Sequence, residues 1–244
     1  GELHLSILIE NMRREGYELS VSRPEVIMQE ADGEVLEPWE QLTVDLDEAY
    51  QGAVMSRLAD RKGELLDIMP DGKGRVRMDY RIPTRGLIGF RTEFLTATSG
   101  TGLIYHVFEK YAKRIPGAIA QRNNGVLVSM VAGKALAYAL YNLQERGRLF
   151  IGHGDALYEG MIVGIHSRQN DLSVNPTKGK QLTNIRAAGS DENIVLTPPI
   201  RLSLEQALEF IDDDELLEVT PLNLRMRKKF LREADRKRES RLQA

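Results

Sequence analysis

The sequence of 244 residues contains no cysteine, a single tryptophan and no long hydrophobic run. The absence of cysteine excludes disulfide bonds and thiolate metal sites, and it is typical of proteins in a reducing compartment. No apolar segment approaches the roughly 18 residues that a membrane-spanning helix needs, and the chain does not open with a charged and then apolar signal segment. We therefore expect a cytoplasmic protein with no membrane partner.

A strong excess of one charge is also missing, because the formal net charge is only −3. Binding to a polyanion would therefore have to come from local clusters of cations. The segment 205–218 has seven acidic residues and no basic one, whereas 225–244 has nine basic residues against three acidic ones. The pattern from Asn223 onward predicts a basic helix, which could either contact nucleic acid or simply pair with the acidic helix that begins at Ser203.

The first 34 residues have too few elements to bury themselves. Leu5, Leu8, Ile9 and Met12 recur at helical spacing, Gly16 can end that helix, and a short alternating strand follows. One helix and one strand cannot form a core of their own. Because the chain also begins without methionine, we expect 1–34 to be the remaining half of a larger domain.

The clearest architecture lies between residues 35 and 117. Alternating apolar residues predict strands at 42–46, 64–69 and 75–82, and the last two flank the turn Asp71-Gly72-Lys73-Gly74. A helix through Tyr50, Val54 and Leu58, a second helix capped by Thr84, and a strand after Gly102 complete the series. The order βαββαβ predicts a ferredoxin-like α+β domain, a plan that serves many functions.

The rest of the chain, 118–244, shows short glycine-bounded strands and predicts a β-rich, barrel-like domain with helices appended at its end. The segment LAYALYNLQERG is ambiguous between helix and strand, and NIVLTPP reads as a strand. A joint between this domain and the preceding one is expected near 115–122, where Pro116 and Gly117 interrupt both patterns.

Between the strands at 157–166 and 194–198 lies a stretch, 167–193, that has no helical or strand period. Within it, 168–186 carries four basic residues against one acidic residue, with side-chain amides and hydroxyls between them. Such a loop in a compact domain is either a solvated connection or a binding element. Its cations could pair with phosphates, and its amides could read 2′-hydroxyls and unpaired bases. The loop has no aromatic residue, so it cannot itself stack on bases.

Several long stretches resemble one family of translation factors. The opening GELHLSILIENMRREGYELSVSRPEVI resembles the end of domain III of the elongation factor G superfamily of translational GTPases. The stretches EPWEQLTVDLDEAYQGAVMSRLADRKGEL and IPTRGLIGFRTEFLTATSGTG resemble domain V of that superfamily. The last third, from GRLFIGHGDALYEGMIVGIH to FIDDDELLEVTPLNLRMRKKFL, resembles the C-terminal domain of its BipA (TypA) branch.

The resemblance implies ribosome binding, chiefly to the large subunit, with ribosomal RNA and the acceptor end of A-site tRNA as partners. In that family the C-terminal domain extends its loop toward the tRNA. The residues that we expect to contact RNA are Arg168, Asn170, Asn175, Thr177, Lys178, Lys180, Gln181, Asn184 and Arg186 in the loop, and Arg225, Arg227, Lys228 and Lys229 in the C-terminal segment.

The catalytic part of such a GTPase is absent from this sequence. No GxxxxGK[ST] phosphate-binding loop occurs, since Gly133-Lys134 and Gly179-Lys180 are followed by Ala135 and Gln181. We expect no bound cofactor here, with GTP and Mg²⁺ confined to a GTPase domain elsewhere. The histidines lack metal-binding spacing, and His153 with Asp155 forms the best, though weak, acid–base pair.

Two other functions remain open at this point. The chain could be an RNA-docking structural or assembly protein that acts without a GTPase, or a metabolic enzyme with a ferredoxin-like regulatory domain. An upstream GTPase domain in the full gene would distinguish the first from a translation factor.

Overall fold

The computed structural model describes residues 2–117, 119, 122, 124–179 and 195–243, with the side chains of 2, 3 and 243 left undescribed. The chain divides into two compact units. We call Pro24–Gln121 the central unit, and Gly1–Arg23 together with Arg122–Ala244 the split unit. The predicted three-part division stays a prediction, and the structure groups the first 23 residues with the last half of the chain.

The described residues form seven α-helices and fourteen β-strands. The α-helices are α1 (Glu2–Arg14), α2 (Gln51–Asp60), α3 (Thr84–Leu87), α4 (Phe90–Ala97), α5 (Ala137–Leu143), α6 (Leu204–Phe210) and α7 (Glu233–Gln243). The strands are β1 (Leu19–Ser22), β2 (Gln29–Ala31), β3 (Glu34–Asp47), β4 (Glu64–Pro70), β5 (Arg75–Pro83), β6 (Leu103–Lys113), β7 (Val126–Ser129), β8 (Gly133–Lys134), β9 (Gly147–Leu149), β10 (Ala156–Leu157), β11 (Ile162–His166), β12 (Leu172–Val174), β13 (Glu215–Val219) and β14 (Leu224–Lys228). A 3₁₀ turn, Glu48–Tyr50, precedes α2.

The central unit has the predicted ferredoxin-like plan. Strand β3 pairs antiparallel with β5 and β6, β4 pairs with β5, and β2 pairs with the start of β3. The order β6-β3-β5-β4, with helices after β3 and β5, is the split βαβ arrangement. Its core collects the alternating apolar residues of β3 and β5 with the inner faces of α2 and α4, including Leu42, Met78, Leu58 and Phe94.

The second helical segment of the central unit differs from the prediction. It consists of α3 and α4, separated at Gly89, whose backbone adopts φ of +70°. Thr84 is the first residue of α3, and Pro83 occupies the cap position, so the predicted capping role of Thr84 is wrong. A left-handed residue cannot continue a right-handed helix, and this explains why the helix breaks there.

The split unit covers one side of the helix and strand that open the chain, although Leu5 and Leu8 of the predicted apolar face remain exposed. The helix α1 ends before Gly16, which has φ of +94°, as the sequence predicted. Strand β1 then pairs antiparallel with β13, with Leu19 opposite Val219. Ile9 of α1 joins the core formed by α6, β7 and β13. These first elements obtain from the distant C-terminal strands the burial that they cannot supply themselves.

The strands of the split unit form three open sheets, with the orders β1-β13-β14, β12-β7-β11-β9 and β8-β10. The sequence predicts a β-rich, barrel-like domain with appended helices. The strands and helices are present, but the described residues form no closed barrel. Both faces of the four-stranded sheet are covered, because Val126 and Val128 face one core and Leu127 and Val163 face another. Strand β7 is therefore apolar at three successive positions, as in sheets buried on both sides.

Three other expectations for the split unit are settled by the structure. The ambiguous segment contains the helix α5 followed by the strand β9. The basic helix predicted from Asn223 is wrong, because Leu224, Met226 and Lys228 alternate with more exposed arginines in strand β14, and the helix begins only at Glu233. The predicted strand at 194–198 is absent from 195 onward, where the chain is irregular.

Candidate RNA-binding surface

The predicted loop 167–193 is shorter than expected, because its first third contains the strand β12. Leu172, Ser173 and Val174 pair in parallel with β7, and the Oδ1 atom of Asp171 accepts a hydrogen bond of 2.9 Å from the amide of Val126. Arg168 and Asn170 therefore lie in the turn between β11 and β12. The side chain of Asn170 donates to the carbonyl of Asp171 at 3.1 Å, so this amide is partly used within the turn.

The loop begins at a tightly bonded turn after β12. The Oδ1 atom of Asn175 accepts hydrogen bonds from the amide (3.0 Å) and the hydroxyl (2.8 Å) of Thr177. The carbonyl of Pro176 accepts a hydrogen bond of 3.0 Å from the amide of Leu136, the residue that precedes α5. Asn175 and Thr177 thus shape the turn, whereas Lys178 is exposed. Lys180, Gln181, Asn184 and Arg186 lie outside the described residues.

The returning end of the loop is held at the other end of α5. The side chain of Gln144 accepts a hydrogen bond from the amide of Thr197 at 3.0 Å and donates one to the carbonyl of Val195 at 3.1 Å. Since α5 has seven residues, it separates the two attachment points by about 10 Å. We call α5 with these two attachment points the loop base.

Four cations surround the loop base: Lys134, Arg146, Arg168 and Lys178. All four are exposed, and none forms an ion pair with any acid that the structure describes. Gly133 lies against the side chain of Thr177, which brings the backbone of Lys134 close to the start of the loop. The amide of Ser167 donates to the carbonyl of Arg146 at 2.9 Å, which joins the turn of Arg168 to the other end of α5.

Two of these cations were missed by sequence reasoning. Lys134 was considered only as a failed phosphate-loop lysine, and Arg146 stands in a segment whose secondary structure was ambiguous. In the sequence, Lys134 and Arg146 lie on either side of the segment that forms α5. Counting charges along the chain does not show that both ends of this helix contact the loop.

The basic segment 225–229, formed by β14 and the residue after it, is different, because two of its four predicted RNA contacts are bound to acids. Lys228 is 2% exposed, and its ammonium lies 2.6 Å from Asp171 Oδ2 and 2.9 Å from both Asp214 Oδ2 and Glu215 Oε1. Burial disfavours its charged form, yet these carboxylates prevail and raise the pKa of Lys228. Lys228 is therefore a structural lysine, and its assignment to RNA does not agree with its burial.

Arg227 and Arg122 complete this network of internal charges. The guanidinium of Arg227 pairs with Glu218 at 2.6 Å, and that of Arg122 forms two bonds of 2.8 and 2.9 Å to Glu215 and lies 4.5 Å from the ring centre of Phe210. Burial raises the pKa of Glu215, but Arg122 and Lys228 outweigh this effect and lower it overall. Only Arg225 and Lys229 of the predicted β14 set have no ion pair with a described acid.

The carboxylate of the candidate acid–base pair, Asp155, is held within a turn. The Oδ2 atom of Asp155 accepts the amide of Gly152 at 2.8 Å and lies 3.3 Å from Arg201, so it stabilises a turn. His166 is buried, with Nδ1 2.5 Å from the carbonyl oxygen of Asn170. Among the described residues, no group of three or more histidines and acids could hold a metal ion. None of the described helices has the length and apolar character to cross a membrane.

Comparison with known families assigns both units. The model described as "Elongation factor G C-terminus" matches 34–122, and that described as "TypA/BipA C-terminal domain" matches 124–233. The chain belongs to the TypA/BipA family. The resemblance found in the sequence is thereby confirmed, and the loop base lies in the part that the TypA/BipA C-terminal domain model matches.

Curated TypA/BipA relatives are similar over 99% of this chain. Proteins named "Large ribosomal subunit assembly factor BipA" from Escherichia coli strain K12 and Haemophilus influenzae are each 63% identical over 241 residues, and that from Buchnera aphidicola is 57% identical. The chain spans 39 to 40% of the length of these relatives. It corresponds to the C-terminal domains of a translation factor.

Proposed function

We propose that this chain binds the large ribosomal subunit through RNA and that the loop base and its loop form the principal contact. The observation that carries the proposal is the group of four exposed cations without described acidic partners around both attachment points of the loop. A chain of net charge −3 can hold RNA only where cations are concentrated and free. The name of the relatives, a large-subunit assembly factor, supports the choice of partner.

The finer contacts follow from the same charges. Lys178, Lys180 and Arg186 would pair with phosphates of ribosomal RNA and of the acceptor end of A-site tRNA, and Gln181 and Asn184 would read 2′-hydroxyls and unpaired bases. Asn175 and Thr177 act indirectly, since they fix the turn from which these residues extend. We place this activity in the cytoplasm, where ribosomes assemble and translate.

The test is a salt titration of binding to purified large subunits. Replacing Lys178, Lys180 and Arg186 together by alanine should weaken binding and lower the slope of log affinity against log salt by about two to three, since each phosphate contact contributes roughly 0.7 to 0.9. The matched control replaces Arg225, Lys229 and Arg232, which removes the same charge. A folded loop variant with the affinity and slope of the unmodified chain would refute the proposal.

A second candidate is an assembly protein that docks RNA without any GTPase action. The name of the relatives favours an assembly role, whereas the elongation factor G match favours a translational GTPase as the whole protein. We infer that guanine nucleotide and Mg²⁺ bind elsewhere in that protein, because this chain lacks a phosphate-binding loop. Calorimetry with GTP and GDP should show no binding, and saturable micromolar binding would reveal a site within these domains.

A further inference from the structure

The helix α5 presents two tyrosines between the attachment points of the loop. Tyr141 is 42% exposed and Tyr138 is half-buried, whereas Ala139 and Leu140 of the same helix are buried. Residues three apart on a helix are neighbours, with Cβ atoms about 5–6 Å apart. The two rings therefore share one side of α5, away from the core that Leu140 joins.

Neither ring has a structural task among the described residues. Leu140 and Leu143 pack in or against the core beside α5, but Tyr138 and Tyr141 are in none of the hydrophobic clusters. The close aromatic pairs and the side-chain hydrogen bonds of the described part likewise involve neither ring. The exposed ring of Tyr141 therefore has no packing or hydrogen-bonding role among the described residues and is available to a ligand.

The cations around α5 indicate what kind of ligand the tyrosines would contact. Lys134 and Lys178 lie near one end of α5, and Arg146 and Arg168 lie near the other, so a polyanion that pairs with both ends would run along the helix that carries the tyrosines. Cations that hold a nucleic-acid backbone, combined with aromatic rings on which bases stack, are the recurring design of sites for single strands. A membrane or an acidic protein would use the cations but gain little from two phenol rings at this spacing.

We propose that Tyr141, assisted by Tyr138, is a stacking platform for an unpaired base of RNA bound at the loop base. This inference rests on the proposed RNA binding, and it supplies the stacking that the loop itself cannot provide. In this arrangement the cations and the tyrosines contribute to binding in different ways. The cations set the salt dependence, whereas the tyrosines add affinity that does not depend on salt.

The experiment uses the whole chain and a short unstructured RNA that contains the fluorescent base 2-aminopurine. Tyr141→Leu keeps the apolar bulk and the helix but removes the π face, and Tyr141→Phe retains it. Loss of one stacked base should weaken binding about 5- to 100-fold for Tyr141→Leu, with the salt slope unchanged, and reduce the quenching of 2-aminopurine. Tyr141→Phe should bind within about twofold of the unmodified chain. Tyr105→Leu, at a 55% exposed tyrosine of the central unit, is the matched control.

The outcomes separate this inference from the proposed function. Unchanged affinity and quenching in Tyr141→Leu, together with an intact salt slope, would overturn the stacking platform and leave electrostatic RNA binding in place. Loss of binding in Tyr141→Phe as well as in Tyr141→Leu would also overturn it, because the hydroxyl and not the ring would then be recognised. If the unmodified chain binds no RNA at any salt concentration, the proposed function itself fails. Circular dichroism of each variant confirms folding.

Discussion

Lys178 and Lys228 show how two lysines from basic segments can have opposite roles. Lys178 is exposed beside the loop base and has no described acidic partner, whereas Lys228 is 2% exposed and pairs with three carboxylates. The first can neutralise a phosphate at little cost. Lys228 could do so only by giving up its ion pairs with Asp171 and Asp214 and by leaving the buried carboxylate of Glu215 with Arg122 as its cationic partner, which is costly. Basic composition alone therefore does not identify an RNA contact, and the neighbouring acids decide it.

The largest effect should come from removing the internal lysine. Lys228→Met leaves the buried carboxylate of Glu215 with Arg122 as its remaining cationic partner, so the loss of unfolding free energy should stay below the roughly 3–5 kcal/mol of a fully uncompensated buried charge. Lys229→Met, at the exposed neighbour, should cost no more than about 0.5 kcal/mol. Chemical denaturation followed by circular dichroism measures both.

The lone tryptophan provides an internal reference for that measurement. Trp39 lies in the central unit, so its fluorescence follows the unfolding of that unit, whereas circular dichroism follows the whole chain. Equal stability of the two methionine variants would show that the charge network around Lys228 contributes nothing, and the contrast between the two lysines would lose its basis.

A smaller effect is expected from acid. The pKa of Glu215 is lower in the folded protein than in the unfolded chain, so its contribution to stability is present above about pH 4.3 and is lost as the pH falls through the folded pKa. Burial raises the pKa of the nearby Asp212, which acts in the opposite direction. Comparing the unmodified chain with Glu215→Gln isolates the contribution of Glu215.

Denaturation at pH 7 and at pH 3 checks this expectation. The unmodified split unit should lose more unfolding free energy between these pH values than Glu215→Gln does, because the glutamine cannot take up a proton. Parallel pH curves for the two proteins would contradict the lowered pKa of Glu215.

The smallest of these effects concerns the attachment of the loop. Gln144→Ala removes two hydrogen bonds that hold Val195 and Thr197, each contributing about 0.5–1.5 kcal/mol. We expect faster hydrogen exchange at the Thr197 amide and a few-fold weaker RNA binding with an unchanged salt slope, because no charge is lost. Glu145→Ala, at the exposed neighbour, should leave the exchange of Thr197 unaffected.

The sequence predicted those parts of the fold in which apolar residues recur at a regular spacing over many positions. The alternation through Leu42, Val44 and Leu46 predicted the central strand, and the predicted start of a helix at Ser203 agrees with the structure, where Ser203 and Gln206 bond each other's backbone amides at the start of α6. Strand β12 escaped prediction, because three residues carry too little pattern and its partner β7 lies more than 40 positions earlier in the chain.

The site could be predicted only in part for a similar reason. The run of cations from Arg168 to Arg186 was visible, but the burial of Lys228 depends on Asp171 and on the adjacent Asp214 and Glu215, which come from two segments far apart in the sequence. Strand periodicity places Lys228 on the same face as Met226, and nothing local shows that this face is internal. The role of α5 in joining both ends of the loop likewise requires the tertiary structure.

The central claim is that the cations of the loop base, and not those of β14, hold RNA. The most direct test compares two double variants. One combines Arg168→Ala and Lys178→Ala, and the other combines Arg225→Ala and Lys229→Ala, so both remove the same side-chain types and the same charge. In a salt titration of binding to purified large subunits, the first pair should lower the slope by about 1.4 to 1.8 and the second should leave it unchanged. An equal or larger loss of slope in the Arg225 and Lys229 variant would contradict the account and place the RNA contact on β14.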